Sequence, residues 1–418
     1  GAAVCAGAGG GGNAGGVSGG AGVMQQSQQQ PVRKLRIVLF DYVFERDKPG
    51  ASGLSDIVWN WSYHLIEQGQ DVHIVAPYTS ETKIPKGVVF HRMEIPRWFY
   101  RNVVGHLLLI YSGWRLIRSI PAVDVVQAPE YLSTAVFSLM LKHPHIVLIV
   151  PGNIYERIQH GNPFDWTMTT VLKIAAAISA RHCVRVVATT DDMRLWWVRT
   201  GTHPTKIVVI PYGVNTHLFA PVANARIQLG IPSNQYSIVY VGRLSHEKGV
   251  ATLLQAMHAV IQHVPTAHLH VIGEGPQYTA LVEQAQILGI ADHITWHGWI
   301  HQHDLPRYYS AAHITVLPSL SEGLPRTMLE ALACGSPFIG SAITGIDECI
   351  THEKTGILVP PNNADALAHS ILRLLQDPAF AQFLGQNART FVVQHHSWAA
   401  IVQRIQEEVY APLFNLSH

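Results

Sequence analysis

The chain has 418 residues, 48% of them hydrophobic, and a formal net charge of +1 at pH 7. That length favours two or three domains with buried cores, and the near-neutral balance, with no basic patch and no aromatic-basic alternation, argues against a nucleic-acid surface. Four widely separated cysteines (Cys5, Cys183, Cys334, Cys349) lack the paired spacing of a metal knuckle and read as reduced thiols of a cytoplasmic protein.

Residues 1–31 are rich in Gly, Ala and then Gln. Such a tract cannot bury enough apolar surface to offset its ordering entropy, so it is expected to be a disordered tail. It has no charged segment followed by a sustained apolar run, which makes it a poor signal peptide, and Met24 is a candidate start. From residue 34 the pattern becomes apolar strand, loop, helix, repeated. LRIVLF (35–40) opens the series, followed by a loop with Gly50 and Gly53 and a helix over about 55–68. VHIVAP, VVFHRM, VDVVQA, HIVLIV and VRVVAT continue it, and residues 206–221 close it as a linker punctuated by Pro211, Gly213 and Pro221. Continuous Val/Ile/Leu runs are typical of parallel strands covered on both faces.

Within this first series, residues 97–118 carry Arg97, Arg101, Arg115 and Arg118 around an apolar, aromatic-rich stretch. A buried helix of an α/β layer looks like this, and so does an amphipathic helix in peripheral contact with an anionic membrane. No apolar run is long enough to predict a spanning helix.

A second series follows: SIVYVG (237–242), LHVIG, ITWHGW, ITVLP, PFIGSA and GILV, with helices expected at 250–263, 276–288, 365–376 and 398–410. The alternation predicts an α/β protein of two Rossmann-like, doubly wound domains with an intervening cleft. The boundaries are 32–210 for the first domain, 211–395 for the second and 396–418 for a C-terminal helix, the helices at 365–376 and 398–410 finishing the second domain.

Three motifs stand at strand ends. Gly242-Arg243-Leu244-Ser245-His246-Glu247-Lys248-Gly249 places two cations at one mouth, which suits a diphosphate leaving group. Gly273-Glu274-Gly275-Pro276 lets backbone approach a ligand but lacks the third glycine of a dinucleotide fingerprint. In the segment from Pro318 to Pro337, a loop with Glu322 and Gly323 leads into a helix starting near Pro325, whose first amides around Arg326 and Thr327 form an anion site. Glu322 and Glu330, eight residues apart, can address different ends of an extended ligand. The histidine pairs His301/His303 and His395/His396 lack the spacing and carboxylate partner of a metal site, and no metal site is predicted.

This set resembles the retaining glycosyltransferases of sequence family four (glycosyl transferases group 1), which have the GT-B architecture. The family's E-x7-E motif matches Glu322 to Glu330, its G-R-x4-K signature matches Gly242, Arg243 and Lys248, and its G-x-G-P turn matches Gly273, Gly275 and Pro276. The resemblance implies that Arg243 and Lys248 bind the donor diphosphate, that Glu322 contacts donor-sugar hydroxyls and that Glu330 contacts the ribose. It gives Gly323 and Leu324 backbone approach beside the sugar and puts Gly53 near the leaving phosphates. The implied reaction moves a hexosyl group from a nucleotide diphosphate sugar, with retention, to a sugar or lipid-linked acceptor. No cofactor is implied, and the absence of Asp-x-Asp fits a metal-independent mechanism. Two departures stand out. The glycine pair after the first strand is Gly53-Leu54 here, and Val150-Pro151-Gly152-Asn153 lacks the histidine many members carry, with His160 further on as a substitute. The alternatives are a nucleotide-sugar-binding subunit without transfer activity, motivated by that missing histidine, and a nucleotide-sugar epimerase.

Overall fold

The computed structural model describes residues 34–41, 53–77, 84–94, 103–129, 131–141, 145–149 and 163–415. The Gly/Gln-rich tail, the loop before Gly53, Arg97, Trp98, Phe99, Arg101 and the Val150–His160 segment lie outside the described residues, as does every expectation resting on them.

Seven parallel strands form the first sheet: β1 (Arg36–Phe40), β2 (Asp71–Ala76), β3 (Val89–Arg92), β4 (Val125–Ala128), β5 (Ile146–Ile149), β6 (Arg185–Ala188) and β7 (Ile207–Val209). Their spatial order is β3-β2-β1-β4-β5-β6-β7. The segment expected to be only a linker thus opens with an edge strand. Six more parallel strands form the second sheet: β8 (Tyr236–Val241), β9 (Ala267–Ile272), β10 (Ile294–Gly298), β11 (Ile314–Leu317), β12 (Phe338–Ser341) and β13 (Ile357–Val359), in the order β10-β9-β8-β11-β12-β13. Central strands are inaccessible to water: Ile37, Val38, Leu39 and Phe40 on β1, and Ile238, Val239 and Tyr240 on β8, are all buried. This is why their sequences read as unbroken apolar runs.

In each sheet the strand order reverses at one place, between β1 and β4 and between β8 and β11. Such a switch point leaves a crevice beyond the carboxyl ends of two adjacent strands, where connecting loops diverge to opposite faces. Register confirms the adjacency in the second sheet, with Ile314 opposite Ile238 and Thr315 opposite Val239. The first motif follows β8 and the third follows β11, so the topology alone brings them together.

The C-terminal helix departs from expectation. Rather than completing the second layer, Trp398–Arg404 packs against the Gly53–Glu67 helix of the first. The chain continues through six residues of wider π-helical turn (Ile405–Tyr410). Arg404 donates to the Val209 carbonyl at 3.0 Å and the Tyr410 hydroxyl to Gln127 at 2.5 Å, both in the first half. Trp398, Ile401, Val402, Ile405 and Val409 are all buried, in an apolar cluster that also holds Ile57, Val58 and Trp61 of the first half.

The helix expected around 97–118 runs over Val103–Ser119. Leu109, Ile110 and Ile117 are buried in the first half, and Gly113 lies so close to Phe40 that a Cβ would strike the ring. The opposite face exposes Leu107, Leu108 and Tyr111 beside exposed Arg115 and Arg118. Among the described residues no helix is long and apolar enough to cross a membrane.

Candidate functional site

Three loops interlock at the carboxyl ends of β9, β8 and β11. Gly242 follows β8 directly, and its amide donates to the Ile272 carbonyl at 3.0 Å. Gly273 has φ +133°, a conformation that L side chains rarely adopt, and a Cβ there would strike the Gly242 carbonyl oxygen. A Cβ on Gly275 would strike the backbone of Leu244, whose amide donates to the Glu274 carbonyl at 3.0 Å. Both glycines are therefore required where one loop backbone lies on another. The helix expected from Pro276 starts at Tyr278.

The first loop ends in a short 3₁₀ turn, His246–Lys248, closed by Gly249 in the left-handed conformation at φ +65°. A Cβ on Gly249 would strike the Pro318 carbonyl, and the Leu320 amide donates to the Glu247 carbonyl at 2.8 Å, so this turn is bolted to the loop after β11. Burial works against the Glu247 carboxylate. The Ser245 hydroxyl at 2.5 Å, its own backbone amide and the charges of Lys248 and Arg243 outweigh burial and hold its pKa below the usual range.

That bolting brings Lys248 to Glu322. The ammonium nitrogen lies 2.7 and 2.8 Å from the two carboxylate oxygens, and the Ser319 hydroxyl donates to the same carboxylate at 2.7 Å. The Glu322 side chain is 7% exposed and that of Lys248 22%. Arg243 is exposed on the same loop. A Cβ on Gly323 would meet open space, whereas Leu324 is buried. Backbone thus fronts the crevice immediately after Glu322.

Pro325 introduces the Arg326–Ala333 helix. Arg326 and Thr327 occupy its first turn, both partly accessible. Glu330, one turn on, is 6% exposed and accepts a hydrogen bond from the buried Tyr309 hydroxyl at 3.1 Å. Burial first, then the Glu330 carboxylate, push the Tyr309 phenol well above its ordinary pKa, so it stays a donor. Arg326 and Glu330 line a small pocket with Asn60, Asn215, Phe219 and Gln302. Glu322 does not line it. The structure therefore separates the two glutamates: Glu322 faces Lys248 and Ser319, and Glu330 faces a space rimmed by amides. Gly53 is the first residue of the Gly53–Glu67 helix rather than part of the preceding loop, and Asn60 projects from that same helix.

Sequence reasoning missed Ser319, Tyr309, Asn60, Asn215 and Gln302. Ser319 was within reach, standing three residues before Glu322 in a loop already singled out. The others come from distant elements and carry no local signal.

Among the described residues no group of three or more His, Cys, Asp or Glu side chains is placed to hold a metal. The stacked His301 and His303 rings lie 5.1 Å apart, and Cys183, Cys334 and Cys349 are buried free thiols whose pKa values burial pushes up to about 12.

Two parallel sheets, each with one switch point, make the described chain a two-domain α/β protein whose Lys- and Glu-bearing loops meet at the second switch point. Residues 222–391 match the family described as glycosyl transferases group 1, and residues 51–218 match glycosyltransferase family 4. The chain belongs to that family, and its fold is GT-B. It is 31% identical over 209 residues to an uncharacterized glycosyltransferase of Methanocaldococcus jannaschii, covering 49% of this chain and 53% of that one, so it spans about half the length of that relative. Sucrose-phosphate synthase from Thermosynechococcus elongatus superposes with a TM-score of 0.74 at 26% identity, over 92% of this chain and 100% of that one. Anabaena HepE, solved in complex with UDP and glucose, superposes with a TM-score of 0.70 at 20% identity, over 90% and 100% of the two chains.

Proposed function

We propose that the protein transfers a hexosyl group from a nucleotide diphosphate sugar to an acceptor hydroxyl, with retention and without a divalent metal or other cofactor. The observation that carries this reading is the Lys248–Glu322 pair at the β8/β11 switch point. A cation and an acceptor-only carboxylate, side by side in a crevice, match the two ends of the bond to be broken. As the donor enters, Lys248 turns with Arg243 to the diphosphate and Glu322 accepts hydrogen bonds from sugar hydroxyls. The bond from the anomeric carbon to the phosphate oxygen breaks, the acceptor oxygen takes its place and its proton leaves with the diphosphate. Charge that grows on the leaving oxygen is met by Lys248, Arg243 and the first amides of the Arg326–Ala333 helix. Glu330 reads the ribose and Asn60, Asn215 and Gln302 face the rest of the nucleoside. Most donor contacts belong to 211–395, with Asn60 reaching in from the other half, and the acceptor side belongs to 32–210.

Incubation with a panel of nucleotide sugars together with saccharide and lipid-linked acceptors, following released nucleoside diphosphate and the anomeric configuration of the product by NMR, tests the reading. Binding without release would instead mark a nucleotide-sugar-binding subunit, and a changed sugar on an intact donor would mark an epimerase.

The exposed Leu107, Leu108 and Tyr111 beside Arg115 and Arg118 support a cytoplasmic enzyme in peripheral contact with an anionic membrane. Co-sedimentation with phosphatidylglycerol vesicles that survives Leu107→Ser with Leu108→Ser would remove that contact from the proposal.

A further inference from the structure

Glu348 lies in the loop after β12, and its carboxylate accepts from the backbone amide of Asp191, at 3.2 and 3.1 Å for the two oxygens, across 157 residues of sequence. Asp191 opens the Asp191–Arg199 helix that follows β6. The N-cap Thr190 already serves the Met193 amide at 3.3 Å, which leaves the Asp191 amide to the partner from the other sheet. The contact therefore joins residues just beyond a strand end of the first sheet to residues just beyond a strand end of the second.

The loop holding Glu348 is stiff. Ile346, Cys349 and Ile350 are buried on either side of it, and the Ile346 and Asp347 amides both donate to the Ile343 carbonyl, at 3.1 and 3.0 Å. Gly345 sits at φ +82° with its Cα pressed on the Gly323 carbonyl, so that a Cβ would strike it. The same short loop thus touches the first half through Glu348 and the residue after Glu322 through Gly345.

We propose that Glu348 is a positioning residue, a latch that closes the two halves over the donor and passes that closure to the Glu322–Gly323 backbone through Gly345. The inference rests on reading the Lys248–Glu322 crevice as the donor site. The latch is built to release. Asp191, Asp192 and Asp347 stand near the Glu348 carboxylate and oppose its charge, while Arg194 is engaged with Asp191 at 2.7 Å. A contact of this kind holds a cleft shut while a ligand adds its own contacts and lets it open afterwards.

Hydrogen exchange on the ligand-free chain tests the coupling without reference to activity. Glu348→Ala is expected to speed exchange about tenfold both at the start of the Asp191–Arg199 helix and in the 319–325 loop, with the melting temperature held. Glu348→Gln keeps an acceptor oxygen and is expected to restore most of the protection. In turnover, Glu348→Ala is expected to lower kcat/KM for the donor about tenfold, about 1.4 kcal/mol, with Glu348→Gln recovering most of it. Faster exchange confined to the Asp191–Arg199 helix, or no change in either segment, would each overturn the latch. If the unmodified chain binds no nucleoside diphosphate, the donor-site reading fails while the exchange measurement still decides the latch.

Discussion

Lys248 and Glu322, 74 residues apart in sequence, meet as a two-point ion pair with separations of 2.7 and 2.8 Å. Lys248 and Ser319 share the Glu322 carboxylate, and the proposed donor needs both Lys248 and Glu322. The pair keeps a nearly buried carboxylate satisfied until hydroxyls and phosphates compete for the two groups.

Replacing Lys248 therefore has two separable effects. Lys248→Ala is expected to lower turnover at saturating donor by roughly a hundredfold or more, the scale for losing one preorganised stabilising group. It is also expected to lower the melting temperature, because Glu322 is left as a shielded, unpaired charge. Adding Glu322→Gln should recover much of that thermal loss and none of the rate. Unchanged turnover in Lys248→Ala would remove this residue from the diphosphate site.

The two glutamates should part company in calorimetry. Glu330→Gln is expected to weaken bare nucleoside diphosphate by about tenfold to over a hundredfold, from about 1.5 to 3 kcal/mol for a charged hydrogen bond. Glu322→Gln should leave that affinity nearly intact while turnover collapses. Tyr309→Phe, which removes the donor holding Glu330, is expected to follow Glu330→Gln at smaller amplitude. Equal losses of nucleoside diphosphate affinity in both glutamate variants would sink the division of sugar from ribose.

Activity assayed after exhaustive chelation is expected to persist, since Lys248, Arg243 and helix amides supply the positive charge. A complete loss restored only by magnesium or manganese contradicts this.

Acid should weaken the second sheet. Burial, then the neighbouring His268 and His297 rings and the Arg226 guanidinium, lower the His270 pKa to about 3, and its Nδ1 lies 3.1 Å from Nε2 of His297. The unfolded chain protonates this ring near pH 6.5 and the folded chain does not until about pH 3, so stability falls as pH drops between those values. At pH 5 this one ring would cost up to about 2 kcal/mol, with about 1.4 kcal/mol for each pH unit below 6.5. Thermal melts from pH 7 to pH 4.5 should show the decline, and a His270→Gln variant should show less of it. Identical slopes for the two proteins would clear His270.

Gly273→Ala is expected to destabilise the chain by about 1 to 3 kcal/mol from backbone strain alone, with the blocked Gly242 carbonyl adding to it. A melting temperature equal to that of the unmodified protein would mean the two loops are free to separate.

What the sequence disclosed follows from how locally each feature is encoded. β1 and β8 were legible because strands shielded on both faces must be apolar throughout, and the loops after β8 and β11 because glycine and proline mark them. The Pro378–His395 helix is absent from the sequence expectation although it carries its own start signal, with Asp377 capping it at the Phe380 amide and Pro378 opening it. Tyr309 with Glu330, and Glu348 with Asp191, had no such signature. Each pair joins elements whose approach is decided by the order of strands: Glu330 stands out through its motif, but Tyr309, Glu348 and Asp191 read alone as ordinary core or surface residues.

The returning C-terminal helix sets a schedule for synthesis. A ribosome emits residues 34–210 long before the Trp398–Arg404 segment, so the Gly53–Glu67 helix waits without the helix that packs against it in the finished chain. The nascent first half thus carries a sticky seam through the whole translation of the second, a place for chaperones to hold. For the same reason the first half expressed by itself should aggregate, and grafting residues 396–415 onto it through a flexible tether should keep it in solution.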